Sequence, residues 1–157
     1  MGNHKYALLL YQQSLEIKEK LIGKEHPSVS TTLNNMSALY SKMGKYNEAL
    51  PLCQKALEIR ENSLGPSHPS TATTLSNMSN LYRKMGKYKE ALSLCQKALE
   101  IRENILGPSH PSTATTLDGL SEIYLCMGME TQFHNPVISL FSFHLIMTFL
   151  KLVSSVC

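Results

Sequence analysis

The chain has 157 residues, 43% hydrophobic and 17% charged, with a formal net charge of +3. That length suits one ordinary domain, and so slight a basic excess does not indicate a nucleic-acid surface, which needs cations clustered on one face. The four Cys, at 53, 95, 126 and 157, are too sparse for a disulfide framework, and MGNHKYALLLYQQSLE lacks the apolar core and cleavage site of a signal peptide, so a reducing, cytoplasmic setting is expected.

In chain order, apolar spacing predicts a helix at about 4–21, a helical hairpin over 28–63, a second over 70–105, and a helix at 112–127. Within the first hairpin, Leu33, Met36, Ser37 and Tyr40 fall at i, i+3, i+4 and i+7, one stripe of a helix from about Ser28 to Met43. Pro27 suits its first turn and Gly44 its end. The helix from about Tyr46 to Ser63 has an apolar stripe of Ala49, Leu52, Cys53, Ala56, Leu57 and Ile59. Glu48 in its first turn and Arg60 in its last are read as complementing the helix dipole, and Gly65-Pro66 stops it. The small residues Ser37, Ala49 and Ala56 should let helices approach closely.

The pattern repeats. Gly44–Met85 aligns without a gap to Gly86–Met127, a period of 42 with 32 identical positions. Ala7, Leu10, Gln12, Leu15, Ile17, Gly23, His26, Pro27, Leu33 and Tyr40 each recur 42 residues later. Gly2 is thus the counterpart of Gly44. That reading is preferred over a myristoylation signal, whose expected Ser/Thr place is held by Tyr6. Two-helix units cannot bury their stripes alone, so they are expected to stack as a solenoid.

The last segment, 129–157, breaks the period. Val137 to Leu150 is apolar except for Ser, His and Thr, with Lys151 close behind. Three readings stand side by side: a capping helix, a tail with no selected fold, and a membrane anchor through 137–152. The apolar run falls short of the ~20 residues a span needs. Neither end carries a polar cap, so the chain reads as a fragment of a longer array.

No nucleotide-binding, hydrolase or zincin motif is present. His26, His68 and His110 each precede Pro at the 42-residue spacing, but successive repeats lie roughly 10 Å apart, too far for a shared metal ion. They are read as linker residues near helix starts. Cys53 and Cys95 are read as small core residues. Repetition gives near-copies of everything, whereas catalysis needs one unique constellation. No catalytic residue, metal site or cofactor is expected.

One surface carries information. On the first helix of the first hairpin, the face away from the stripe reads Thr31, Asn34, Asn35, Ala38, Ser41, Lys42; on the next it reads Thr73, Ser76, Asn77, Asn80, Arg83, Lys84. Asn can donate to a peptide carbonyl and accept from its N–H, and Lys and Arg attract carboxylates. From these, Thr31, Asn34, Asn35, Lys42, Thr73, Asn77, Asn80, Arg83 and Lys84 are the candidate peptide-binding residues; a merely solvated face is the alternative. The third such face, Thr115, Asp118, Gly119, Glu122, Leu125, Cys126, loses the Asn and the cations. No aromatic side chain stands beside the cations, which argues against single-stranded nucleic acid.

The run L-x-x-M-S-x-x-Y-x-x-M-G-K-Y-x-E-A-L-x-L-C-x-x-A-L resembles the tetratricopeptide repeat, and the 42-residue period with A-L-E-I-R-E-x-x-L-G-x-x-H-P resembles its long-helix kinesin light chain and nephrocystin-like variant. The resemblance covers roughly residues 2–128. It implies an all-α fold of tandem antiparallel helix hairpins in a right-handed superhelix (an α-solenoid). The array would comprise a partial repeat over 2–23, repeats over about 26–65 and 68–107, and a partial repeat over 110–128. It implies a non-catalytic module that binds a protein or peptide in its inner groove, where Asn35 and Asn77 match the Asn such repeats use to hold extended peptides. The cations suggest an acidic ligand, and a motor-cargo adaptor is one setting. A membrane-tethered adaptor is the rival reading, a nucleic-acid-binding helical repeat a weaker one.

Overall fold

The computed structural model describes residues Gly2–Gly128. They form six helices: α1 (Gly2–Ile22), α2 (Pro27–Lys42), α3 (Tyr46–Leu64), α4 (Pro69–Lys84), α5 (Tyr88–Leu106) and α6 (Pro111–Cys126). By its contacts the chain divides into Met1–Ile123 and Tyr124–Cys157, and the packing below lies within the first unit. The readings placed on 129–157, the membrane anchor through 137–152 among them, lie outside the described residues. No helix of the described residues is long and apolar enough to cross a membrane.

Local chemistry sets each boundary. His26, His68 and His110 are N-caps, not passive linker residues. Each imidazole Nδ1 accepts from the backbone N–H two residues on, at 3.1, 3.0 and 3.1 Å, satisfying a donor that has no partner inside the helix. Pro27 and Pro69 follow at the first helical position. Helix α2 closes with its Gly44 N–H on Ser41 O and its Lys45 N–H on Tyr40 O, a Schellman closure. That closure needs the positive φ of +74° found at Gly44. Helix α3 stops at Gly65, whose φ of +93° and ψ of 157° lie in a region open essentially to Gly alone.

Helix α2 packs on α3 and α4 on α5; α3 packs on α4, α1 on α2, and α2 touches α4. Val29, Leu33, Ala56 and Ile59 form one core cluster, with Leu15 of α1 and Leu52 against it. Ala72, Leu75 and Ala98 form the next, joined by Leu57 of α3. Leu15 and Leu57 stand 42 residues apart and do the same job, each carrying its own helix onto the following hairpin. The small residues act as expected. Ala49, Ala56, Ala91 and Ala98 are fully buried, and Ser37 and Ser79 donate to the Ala49 and Ala91 carbonyls at 2.8 and 2.6 Å. A hydroxyl reaching a helical carbonyl of the neighbouring helix requires close backbones.

Candidate peptide-binding face

The first helices α2 and α4 bury the stripe that meets α3 and α5. Their opposite side is exposed at Thr31, Asn35, Ala38 and Lys42, and again at Thr73, Asn77, Asn80 and Lys84. The spacing i, i+4, i+7, i+11 puts each set on one face of its helix. The two faces adjoin, because Lys84 Nζ donates to Ser41 Oγ across the repeat boundary at 3.3 Å. On the other side of α4, Arg83 Nη2 lies 2.9 Å from Glu122 Oε2 of α6.

Asn34, expected on this face, is not there. It is 5% exposed, and its Oδ1 accepts from the Cys53 thiol at 3.7 Å. It sits one position, about 100° of helix, away from Asn35. Its counterpart Ser76 is half-buried, and its Oγ has no hydrogen-bond partner. Arg83 is half-buried and shared between Glu122 and Asn80 Oδ1, so its charge is largely answered within the protein and the Asn80 carbonyl is occupied. Asn35, Lys42 and Asn77 are exposed.

Two residues on the floor of the face are missing from the sequence-based set. Apolar spacing makes Arg60 a dipole-complementing residue in the last turn of α3. The helix instead runs on to Leu64, and Arg60 is 7% exposed, as is Arg102. The Arg60 guanidinium threads between α2 and α4. It donates to Ser30 Oγ at 2.9 Å and Thr31 Oγ1 at 3.3 Å on one side, and to Ser70 O and Thr74 Oγ1 at 2.7 Å each on the other. Arg102 repeats this 42 residues later, donating to Thr73 Oγ1 on α4 and to Ser112 O and Thr116 Oγ1 on α6. At the same place in α1, Lys18 reaches Ser28 O and Thr32 Oγ1 of α2. A five-donor planar fork can serve two helices at once. The available signal was the recurrence of a cation, Lys18, Arg60, Arg102, on the edge of an apolar stripe.

Among the described residues neither arginine belongs to an ion pair; their partners are hydroxyls and carbonyls. Burial lowers both guanidinium pKa values, with the neighbouring Cys53 and Cys95 sulfurs acting the other way, yet arginine keeps its charge in proteins. A positive charge without a counter-ion therefore lies under Thr31 and another under Thr73. Cys53 and Cys95 are buried and free. Burial pushes the Cys53 thiol up to about 11 and raises Cys95 as well, so both are held as inert thiols.

A tetratricopeptide repeat family profile matches residues 1–52, 28–93 and 71–132. No curated protein matches the chain. Among solved structures, the chain is similar to BtubC (BKLC) from P. vanneervenii, with a TM-score of 0.74 and 25% identity over 81% of this chain and 51% of that one. It is also similar to a kinesin light chain-like protein of nearly identical TPR-like repeats from Podosopora anserina, with a TM-score of 0.67 and 25% identity over 83% of this chain and 62% of that one. The chain thus spans about half to three-fifths of the length of these relatives. Successive profile matches covering every described helix, on a fold of stacked antiparallel hairpins, lead to one conclusion: the chain belongs to the tetratricopeptide repeat family, whose repeats are protein-interaction scaffolds.

Proposed function

We propose that the chain binds an extended, acidic segment of a protein partner along the exposed face of α2 and α4, within a kinesin light chain-like cargo adaptor. The observation that carries this reading is the pair of buried, unneutralised guanidinium groups of Arg60 and Arg102 beneath Thr31 and Thr73, beside exposed Asn35 and Asn77. The exposed Lys42 and Lys84 extend the positive strip. The amides pair with the ligand backbone, which any sequence supplies; the cations select carboxylate-bearing sequences. Likeness to kinesin light chain-like structures supports the adaptor setting, and the family supports a protein or peptide ligand without catalysis.

Affinity is expected on the order of micromolar, about −8 kcal/mol, since ordering a flexible peptide opposes the contacts. The test is fluorescence anisotropy with a peptide library at low and high salt. Acidic peptides should be selected, and salt should weaken them. Asn77→Ala should lower affinity by about 1–2 kcal/mol at any salt. Lys42→Glu with Lys84→Glu should abolish the acidic preference and leave the helical signal intact. Selection of basic or neutral peptides, or affinity indifferent to both changes, refutes the assignment.

A further inference from the structure

The two clamp arginines differ in how much of their bonding capacity the protein uses. A guanidinium carries five N–H donors. Arg60 places four of them: Nε on Ser30 Oγ at 2.9 Å, the two Nη1 hydrogens on Ser70 O and Thr74 Oγ1, and one Nη2 hydrogen on Thr31 Oγ1. Ser30 is oriented for this task, because its own hydroxyl donates to Pro27 O at 2.6 Å and leaves a lone pair for Arg60. Position 72 holds Ala where position 30 holds Ser. Arg102 therefore places three donors: the two Nη1 hydrogens on Ser112 O and Thr116 Oγ1, and one Nη2 hydrogen on Thr73 Oγ1 at 3.4 Å. That last contact is longer than the roughly 2.9 Å usual for N–H···O. Among the described residues the Arg102 Nε–H has no partner, although Arg102 is 7% exposed and lies as deep as Arg60.

We infer that the Nε–Nη2 edge of Arg102 is an anion subsite that takes a side-chain carboxylate of the bound segment, and that Arg60 offers no such subsite. The Nε–H and the neighbouring Nη2–H leave one edge of the planar fork side by side, the geometry that the two oxygens of a carboxylate accept together. In the first module Ser30 and Thr31 fill that edge. In the second, Ala72 supplies no acceptor, and the long Thr73 contact is readily exchanged. A carboxylate lying over exposed Thr73 thus gains two charge-assisted bonds and brings the counter-charge that the guanidinium lacks. A buried charge with an unused donor gains more from such a partner than the solvated Lys42 and Lys84 do. The subsite rests on the peptide-binding reading for the segment that brings the carboxylate, and it assigns recognition of that acidic residue to the second module.

The test follows the arginine Nε–H signals of the full chain by proton–nitrogen correlation NMR during titration with sodium acetate at fixed ionic strength. Arg60→Lys and Arg102→Lys assign the two signals. Two exchanges decide the outcome, Ala72→Ser and Ser30→Ala. Each imports the residue that the other module already buries at 0% exposure, so the fold has room for both. In the unmodified chain acetate should shift the Arg102 signal and leave Arg60 still. Ala72→Ser should remove that response, and Ser30→Ala should create one at Arg60. Acidic peptides from the library should bind Ala72→Ser roughly tenfold more weakly, while matched peptides with Gln for Glu and Asn for Asp keep their affinity. Acetate that moves both signals or neither, or responses indifferent to the two exchanges, overturns the inference whatever the library selects. The expected acetate response beside a library without acidic preference would instead overturn the peptide-binding reading and leave the subsite standing.

Discussion

Hairpin α2–α3 and hairpin α4–α5 hold the same interior in common: Ser37 and Ser79, Ala49 and Ala91, Cys53 and Cys95, Ala56 and Ala98, Arg60 and Arg102. They part at their edges. Arg60 ties its own hairpin through Ser30 Oγ and Thr31, but Ser30 is replaced by Ala72 in the second hairpin, leaving Arg102 only Thr73 on that side. Asn34 finds the Cys53 thiol, while Ser76 finds nothing. Pro51 interrupts α3 where Ser93 continues α5. Near-identical modules are therefore not energetically identical: the copies diverge in contacts made within each hairpin, while the bonds from each arginine to the following helix are the same in both.

The sharpest way to break this comparison is to remove the clamps. Arg60→Ala should lose about 4 kcal/mol of stability, from four charge-assisted hydrogen bonds, two of them buried and two part-buried, partly replaced by water. Arg102→Ala should lose about 3 kcal/mol, and Lys18→Ala, with its contacts to α2, about 1 kcal/mol. Urea denaturation orders the three. Arg60→Lys should fall between the unmodified chain and the alanine variant, keeping the forward contacts that Lys18 shows an ammonium can make. Equal losses at 60 and 102 would mean that the Ser30 contact is immaterial.

The thiols sharpen the comparison through pH. A folded chain that raises the Cys53 pKa from 9.0 to about 11 holds that proton more tightly than the unfolded chain. The resulting stability is intact below pH 9 and is lost as pH rises through about 11. The loss is roughly 2–3 kcal/mol from this one group. Cys53→Ala should flatten most of that slope in denaturation curves taken between pH 8 and 11. Cys95→Ala should flatten less, and an unchanged slope in Cys53→Ala would remove the thiol as its cause.

The smallest effect concerns α3 alone. Pro51 has no N–H for the Asn47 carbonyl, so Pro51→Ser, which imports the residue of α5, should raise stability by about 1 kcal/mol. A melting temperature that falls on this exchange would show that Pro51 contributes packing the other hairpin does without.

Much of this was legible in the residues. Helix positions followed from the apolar stripes and from Gly and Pro, because those signals are local and each occurs twice or more. The core roles of Ala49, Ala56 and Cys53 followed for the same reason. The candidate face was only partly legible. A 3.6-residue wheel places Asn34 and Asn35 about 100° apart, but only the packed neighbour decides which of them is covered. The clamp role of Arg60 was hidden because a cation near a helix end has an adequate local explanation, and its actual partners lie about 10 to 30 residues away on two other helices. Likewise Arg83 has the sequence context of a free cation, and only the fold brings Glu122 beside it.

The sameness of the modules has a consequence for how the chain finds its structure. Helices α3 and α5 differ only at Asn47/Lys89, Pro51/Ser93 and Ser63/Ile105, none of which is a fully buried position. A folding α2 thus meets two almost interchangeable partners, α3 at a short loop's distance and α5 one module further on. Both would accept its Ser37 hydroxyl and its Leu33 side chain. Loop closure favours the nearer helix only by an amount that grows logarithmically with separation, so skipped pairings are near-isoenergetic competitors during refolding. Correct order then rests on speed: local hairpins close first, and synthesis from the ribosome offers α2 its proper partner before the second copy exists.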